Sequence, residues 1–156
     1  MFQVEYITGF SYGDFVYFLT TQKVSVESEA IETRLARICT NDSAFFSYTE
    51  VPLKCHYALD IYNLATAAHL GVASAQLKRK LKLDKLADVL YVSFVRTVPD
   101  HGRLIDKSRG SVICSFPMST VIASFTNATR DCFKAEPRTS LLKHVTGLEL
   151  DCTKNV

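Results

Sequence analysis

The segment Phe15–Cys55 constrains the fold of this chain more than any other stretch. It opens with a run that is apolar on both alternating faces and rich in aromatic and β-branched residues, which is typical of a strand covered on both sides. The turn-forming triplet Asn41-Asp42-Ser43 interrupts the later strand-like residues. The pattern predicts four short antiparallel strands over about 50 residues, the size of one propeller blade: Val4–Phe10, Phe15–Leu19, Arg34–Cys39 and Phe45–Val51.

Three further segments of the chain have strand character. Tyr62–His69 is small and apolar and is interpreted as the inner strand of a second blade, with His69 in or beside the core. Asp88–Arg96 alternates clearly, and Ser111–Phe116 returns to strand composition after a loop rich in turn formers. A weaker strand pattern lies at Val145–Leu150.

Two segments have helical spacing instead. In Ser74–Leu83 the leucines lie four residues apart, and Ser74 can serve as the N-cap. A second helix is expected to begin at Ser119, and its spacing is amphipathic. Its predicted apolar stripe contains Ile122, Phe125, Ala128 or Thr129, and Cys132.

The composition is that of an ordinary globular domain. Of the 156 residues, 47% are hydrophobic and 22% charged, so disorder is not indicated. The net charge of +2 is too small to indicate nucleic acid as a partner. No apolar run approaches the length of about 18 residues that a membrane span needs, and the start at Met1 resembles no signal peptide. We expect no membrane insertion by this segment.

Nothing in the sequence indicates catalysis. The histidines are scattered without the spacing of a zinc site, and no nucleophile elbow, His-Glu-x-x-His, glycine-rich phosphate loop or Cys-x-x-Cys occurs. A Ser/His/Asp trio can be drawn from the chain, as it can from most sequences. We expect no enzyme, no metal and no cofactor. The scattered histidines are His56, His69, His101 and His144.

The charge cluster Lys78-Arg79-Lys80, with Lys82 and Lys85, lacks the aromatic partners of a nucleic-acid footprint. A solvated helix face is the simpler interpretation. The alternative is a charged rim that helps to steer an acidic protein ligand.

Five cysteines fit two different compartments. In a cytosolic protein they would be buried thiols or metal ligands, and in a secreted one they would be bridges with one left over. Asn41-Asp42-Ser43 and Asn127-Ala128-Thr129 fit the N-glycosylation pattern, although the first is equally explained as a turn.

Several motifs nevertheless resemble the sema domain of plexins. The match extends in the right order over nearly the whole chain, through Gly9-Phe10-Ser11, Phe15–Thr20, Ser47–Cys55, Cys114-Ser115-Phe116 and Cys132. The hepatocyte growth factor receptor group shares some of these segments. However, a basic processing site is expected there soon after the equivalent of Cys55, and His56–Ile61 is not basic. Plexin is the better match.

The resemblance implies a mainly β fold, namely about two blades of a seven-bladed sema-type propeller with one or two short helices in the connections. Residues 1–55 would form one blade, and residues 56–156 most of a second with a helical and loop extension. It also implies an extracellular recognition fragment of a single-pass plexin-like receptor that binds semaphorins and mediates guidance signalling. The remainder of the receptor ectodomain would be a further partner. No residue can be assigned to the ligand contact.

The resemblance also implies a cysteine arrangement. Cys55 is expected to pair with Cys114, and Cys132 with Cys152. Cys39 is expected to bridge to a cysteine beyond the end of this chain, and so to be unpaired within it. In an extracellular domain, glycosylation of Asn41 and Asn127 is expected as well.

Three alternatives remain open at this point. The first is a sema fragment of a growth-factor receptor tyrosine kinase of the hepatocyte growth factor type. The second is a secreted propeller hydrolase, which would need convergent acid, base or metal residues in one pocket. The third is a cytosolic interaction propeller with free thiols.

Overall fold

The computed structural model describes residues 4–84 and 87–133, with side chains as far as residue 130. These residues form three antiparallel sheets and two α-helices. The first sheet contains, in spatial order, β1 (Glu5–Tyr12), β2 (Phe15–Lys23), β3 (Ile31–Cys39) and β4 (Thr49–Leu53). The second is a hairpin of β5 (Cys55–Tyr57) and β6 (Asp60–Tyr62). The third contains β7 (Leu64–Val72), β8 (Asp88–Val95) and β9 (Ser111–Pro117).

The first sheet is the four-stranded antiparallel unit that the sequence predicts. A two-residue turn with Gly13 at φ 57° joins β1 to β2, a conformation that glycine adopts without strain. Strand β3 is buried along its entire length, because its two alternating faces are both covered. Leu35 pairs with Leu19 on one side and with Val51 on the other, which fixes the register of the sheet.

The main core lies between the first sheet, the third sheet and α2 (Met118–Phe133). On the helix, the buried stripe is Met118, Val121, Phe125 and Ala128. The Phe125 ring meets that of Tyr17 edge-on, with centroids 5.9 Å apart. The predicted helix is therefore confirmed, but it begins at Met118, and Ile122 is only half-buried.

The short helix α1 (Ala75–Leu81) is also confirmed, together with its cap. The Ser74 hydroxyl accepts a hydrogen bond from the Leu77 amide at 3.2 Å. This bond satisfies one of the donors that a helix N-terminus otherwise leaves open. Neither α1 nor α2, among the residues described, is long and apolar enough to cross a membrane.

The strand predicted at Phe45–Val51 is wrong in its first half. Residues 45–48 lie in turns, and β4 begins at Thr49. The buried Asp42 carboxylate accepts hydrogen bonds from the amides of Ala44 and Ser47, at 3.1 and 2.6 Å. These local bonds replace strand pairing with a loop.

The inner strand of the third sheet is displaced from its prediction. It spans Leu64–Val72 and not Tyr62–His69. His69 pairs with Tyr91 on the face opposite the buried Leu90 and Val92, and its side chain is exposed. The expectation that His69 lies in or beside the core is therefore wrong, because the strand alternation directs its side chain outward.

Polar bonds join the first and third sheets at one end. The Thr33 hydroxyl donates to the Asn63 carbonyl and accepts from the Ala65 amide, both at 2.8 Å. The Asn63 amide group donates to the Ile31 carbonyl at 2.7 Å and to the Thr97 hydroxyl at 2.8 Å. Such bonds fix the two sheets in one relative position at this end.

Candidate recognition surface

An open groove of about 380 Å³ lies beside the β5–β6 hairpin. One wall is the hairpin residues Leu59–Ile61, and the other is the segment Thr97–Asp100 that follows β8. The Leu59 side chain at the hairpin tip is fully exposed, at 102%, and Ile61 is 47% exposed. The hairpin wall of the groove therefore presents two exposed apolar side chains, Leu59 and Ile61.

The charges beside this groove are organised around Asp60. One of its carboxylate oxygens accepts from Arg96, and the other accepts from Arg109 at 3.1 Å. Arg109 ends a short 3₁₀ helix, Lys107–Arg109, and its side chain is 52% exposed. The hydroxyl of Tyr62 donates to the Arg109 carbonyl at 3.0 Å. The hairpin is thus bonded through both ends of β6 to the segment that precedes β9.

The expected Cys55–Cys114 disulfide is confirmed. It joins the first residue of β5 to the middle of β9, with Cα atoms 5.9 Å apart, within the range that a bridge requires. Cys55 is 1% exposed. The disulfide therefore fixes the base of the hairpin to the third sheet.

The expectation for Cys39 needs correction. Cys39 lies at the end of β3 and is disulfide-bonded, so it is not the unpaired cysteine that the sequence suggested. The two cysteines left to partner it are Cys132 and Cys152, whose side chains lie outside the described residues. A bond from either of them to Cys39 is incompatible with the expected Cys132–Cys152 bridge. The expectation came from the plexin resemblance, and cysteine spacing alone gives no independent check on connectivity.

The two glycosylation motifs lie at the surface. Asn41 is exposed in the turn after β3, and Asn127 is exposed on α2. The Arg130 guanidinium donates to the Asn127 side-chain oxygen at 3.5 Å. Both side-chain amides are therefore sterically accessible to modification.

The described residues bring no catalytic or metal-binding constellation together. Among them, no group of three or more His, Cys, Asp or Glu side chains could hold a metal ion. His56 and His101 are exposed in separate segments, and His144 lies outside the described residues. The His101 ring nitrogen is 2.7 Å from the Pro99 carbonyl, which is a local turn contact.

The basic run on α1 agrees with the simpler interpretation. No residue of this helix is buried. Arg79 and Lys80 are exposed, and Lys82 adopts the left-handed conformation that ends the helix. Lys85 is outside the described residues. These cations form a solvated helix end that does not face the groove, since the groove-lining residues belong to other segments.

A buried charge cluster, which the sequence patterns did not reveal, lies on the face of the first sheet opposite Leu35. The Arg34 guanidinium, 5% exposed in its side chain, bonds to both Glu32 and Glu50, the latter at 2.7 Å. Gln22 and Tyr48 donate to Glu50 as well. Burial raises the pKa of Tyr48, as does its hydrogen bond to Glu50.

A second buried arginine lies on the opposite face of β3. The Arg37 guanidinium stacks over the rings of Phe15 and Phe125, with its carbon 4.3 and 4.5 Å from the two centroids. Burial lowers the pKa of Arg37, although the neighbouring Tyr17 opposes the shift. Cation–π contact replaces part of the lost hydration, and it joins α2 to the first sheet.

No protein-family model matches this sequence. Comparison with solved structures, however, finds similar proteins. A structure of the full extracellular region of plexin A4, domains 1 to 8, is similar at 30% identity with a TM-score of 0.70. The likeness covers 86% of this chain and 15% of the plexin A4 chain. The chain therefore spans a small part of that receptor.

Two Drosophila structures share the same fold. A chain in the complex of plexin A with semaphorin 1b matches at 18% identity, with a TM-score of 0.57, over 80% of this chain and 24% of that one. Semaphorin 2a matches at 21% identity, with a TM-score of 0.55, over 80% of this chain and 19% of that one. With its antiparallel four-stranded sheet and its plexin A4 likeness, this chain is a partial sema-type β-propeller, of the class found in the extracellular regions of plexins and semaphorins.

Proposed function

We propose that this chain is an extracellular recognition fragment of a plexin-like cell-surface receptor that binds semaphorins and mediates guidance signalling. The observation that carries the proposal is the difference between the matches. The plexin A4 likeness has 30% identity and a TM-score of 0.70, whereas the Drosophila semaphorins have 17 to 21% identity and TM-scores of 0.54 to 0.57. A plexin A–semaphorin 1b complex among the similar structures supports semaphorin as the ligand class.

The proposal includes the place of the segment in the receptor. Residues 1–55 form one blade and residues 56–156 most of a second, beside the remainder of the ectodomain of a single-pass membrane protein. The Cys55–Cys114 disulfide supports the extracellular side, because such bonds persist in oxidising compartments.

Direct binding tests the ligand class. The secreted chain, captured sparsely on a surface, is expected to bind purified semaphorin extracellular regions saturably, beginning with semaphorin 1b domains 1–2. Hepatocyte growth factor, applied at the same concentrations, is expected to give no saturable binding signal. Binding of the growth factor without any semaphorin would reverse the assignment in favour of the other receptor group.

Glycosylation tests the extracellular location. Expression in a secretory host is expected to add N-glycosidase-sensitive mass at Asn41 and Asn127, because both side chains are exposed. The variants Asn41→Gln and Asn127→Gln should each remove one step of that mass on a gel. Secreted protein without glycan at either position would contradict the prediction.

A further inference from the structure

We propose that the first sugar of an N-glycan on Asn41 packs against the exposed ring of Phe45 and thereby stabilises the loop of residues 40–48. The inference rests on the extracellular location in the proposed function, because this glycosylation motif is used in secreted chains. It goes beyond glycosylation itself, since it assigns a side chain that binds the carbohydrate and distinguishes Asn41 from Asn127.

The first argument is the exposure of a large aromatic ring beside a sugar attachment site. Phe45 is 67% exposed, and Asn41 is exposed in the same loop. A single exposed ring is ordinary on a protein surface, but here a glycan would be attached next to it. The first sugar, N-acetylglucosamine, has a ring face made of C–H groups, which the negative face of an aromatic ring attracts. Packing of the sugar on Phe45 would remove apolar surface of both from water.

The second argument is distance. The Phe45 amide donates to the Asp42 carbonyl at 3.4 Å, which closes a β-turn over residues 42–45. A β-turn keeps its first and last Cα atoms within about 7 Å of each other. Because consecutive Cα atoms are about 3.8 Å apart, the Cα atoms of Asn41 and Phe45 are separated by no more than about 11 Å. An asparagine side chain with a sugar ring attached spans a similar length, so the sugar can reach the ring.

The third argument is the fixed geometry of the loop. The Asp42 carboxylate accepts from the Ala44 amide and from both the amide and the hydroxyl of Ser47. The Ser47 oxygen in turn accepts from the Cys39 amide at 2.9 Å. Phe45 has φ 60°, a conformation that a bulky residue adopts only where the surroundings impose it. The backbone that carries the ring is therefore fixed before a sugar is attached, and the contact loses little conformational entropy.

The second glycosylation motif lacks such a ring. Among the residues of α2 whose side chains are described, 118–130, no large apolar side chain is exposed. A glycan on Asn127 is therefore expected to extend into solvent without packing on the helix. It provides a matched control within the same chain.

Melting temperatures of defined glycoforms test the contact. The variant Asn127→Gln, made in a secretory host, carries a glycan only at Asn41. Its full glycoform and the form that an endoglycosidase trims to a single N-acetylglucosamine are expected to melt at the same temperature, because the first sugar makes the contact. Removal of the whole glycan by N-glycosidase should lower the melting temperature by about 2–4 °C, the shift that one modest interaction produces in a chain of this length.

Substitutions at the ring and elsewhere identify the cause of that shift. In the same single-glycan chain, the shift should vanish with Phe45→Ala and persist with Phe45→Tyr, which keeps an aromatic face. It should also persist with Tyr57→Ala, at a ring 65% exposed in β5. N-glycosidase leaves aspartate at position 41 in all of these chains, so that change cancels. In Asn41→Gln, removal of the Asn127 glycan should leave the melting temperature unchanged.

Each outcome decides the proposal. No shift on glycan removal, or the same shift with Phe45→Ala, overturns the contact and leaves the proposed function intact. Equal shifts for the Asn41 and Asn127 glycans indicate a general effect of glycans and also overturn it. A glycan at Asn127 but none at Asn41 overturns the contact alone, whereas secreted protein without glycan at either position contradicts the extracellular location as well. A shift confined to Asn41 that requires an aromatic ring at position 45 supports the proposal.

Discussion

Replacing Arg34 by leucine is expected to lower the free energy of unfolding by about 3–5 kcal/mol, the cost of removing one partner from a buried charge group. Arg34 is 4% exposed and bonds to Glu32 and to Glu50. Without the guanidinium, two carboxylates would remain beside each other in the covered face of the sheet. Denaturant unfolding of the variant and the unmodified chain measures the difference.

The pH dependence of the free energy of unfolding distinguishes the loss of charge interactions in Arg34→Leu from a loss of packing. Burial alone would raise the pKa of Glu50, but hydrogen bonds from Tyr48 and Arg34 and the Arg34 charge hold it below its ordinary value of 4.5. The stabilisation by this ionised group is therefore present above that value and is lost as pH falls through the lower, folded-state pKa. The effect of Arg34→Leu should shrink over that acidic range. Arg79→Leu, on the exposed helix, should change stability by no more than about 0.5 kcal/mol.

Removing the Cys55–Cys114 disulfide is expected to cost about 4 kcal/mol, the loop-closure estimate for a bridge that spans 59 residues. The double variant Cys55→Ala with Cys114→Ala isolates this bridge, whereas a reducing agent would also reach the bond of Cys39. The measurement is the free energy of unfolding under non-reducing conditions.

The location of the loss is a second check on the disulfide. Hydrogen exchange should become faster in the hairpin Cys55–Tyr62 and in β9, because the bridge fastens one to the other. The amides of β2 and β3 should be much less affected by local opening, since their ladder does not depend on the bridge. A double variant as stable as the unmodified chain would contradict this account.

The sequence predicted much of the fold for physical reasons. The Phe15–Leu19 run is apolar on both faces and lies in β2, where Tyr17 and Leu19 are buried in the main core and Phe18, on the other face, is half-buried. The stripe that includes Phe125 and Ala128 repeats at helical spacing, and both side chains are buried. The cap of α1 was also predictable, because Ser74 stands directly before the helical residues. In the structure its hydroxyl accepts a hydrogen bond from the Leu77 amide. In each case the signal is short-range.

The features that could not be predicted are long-range or depend on one side chain's partners. Asp42 turned Phe45–Tyr48 into a loop through hydrogen bonds that composition does not reveal. The alternation of Glu32 and Arg34 on one face of β3 was a signal of the charge cluster, but Glu50 joins only once β4 pairs with β3. The groove likewise combines a hairpin and a distant loop, so no contiguous motif marks it.

Hydrogen exchange of this chain, alone and saturated with a semaphorin extracellular region, tests the central claim most directly. Recognition by a sema-type fragment predicts slower exchange, on semaphorin binding, in segments that form one continuous patch on the surface of the described residues. Unchanged exchange throughout the described residues, at semaphorin 1b concentrations that saturate Drosophila plexin A, would contradict the account as a whole.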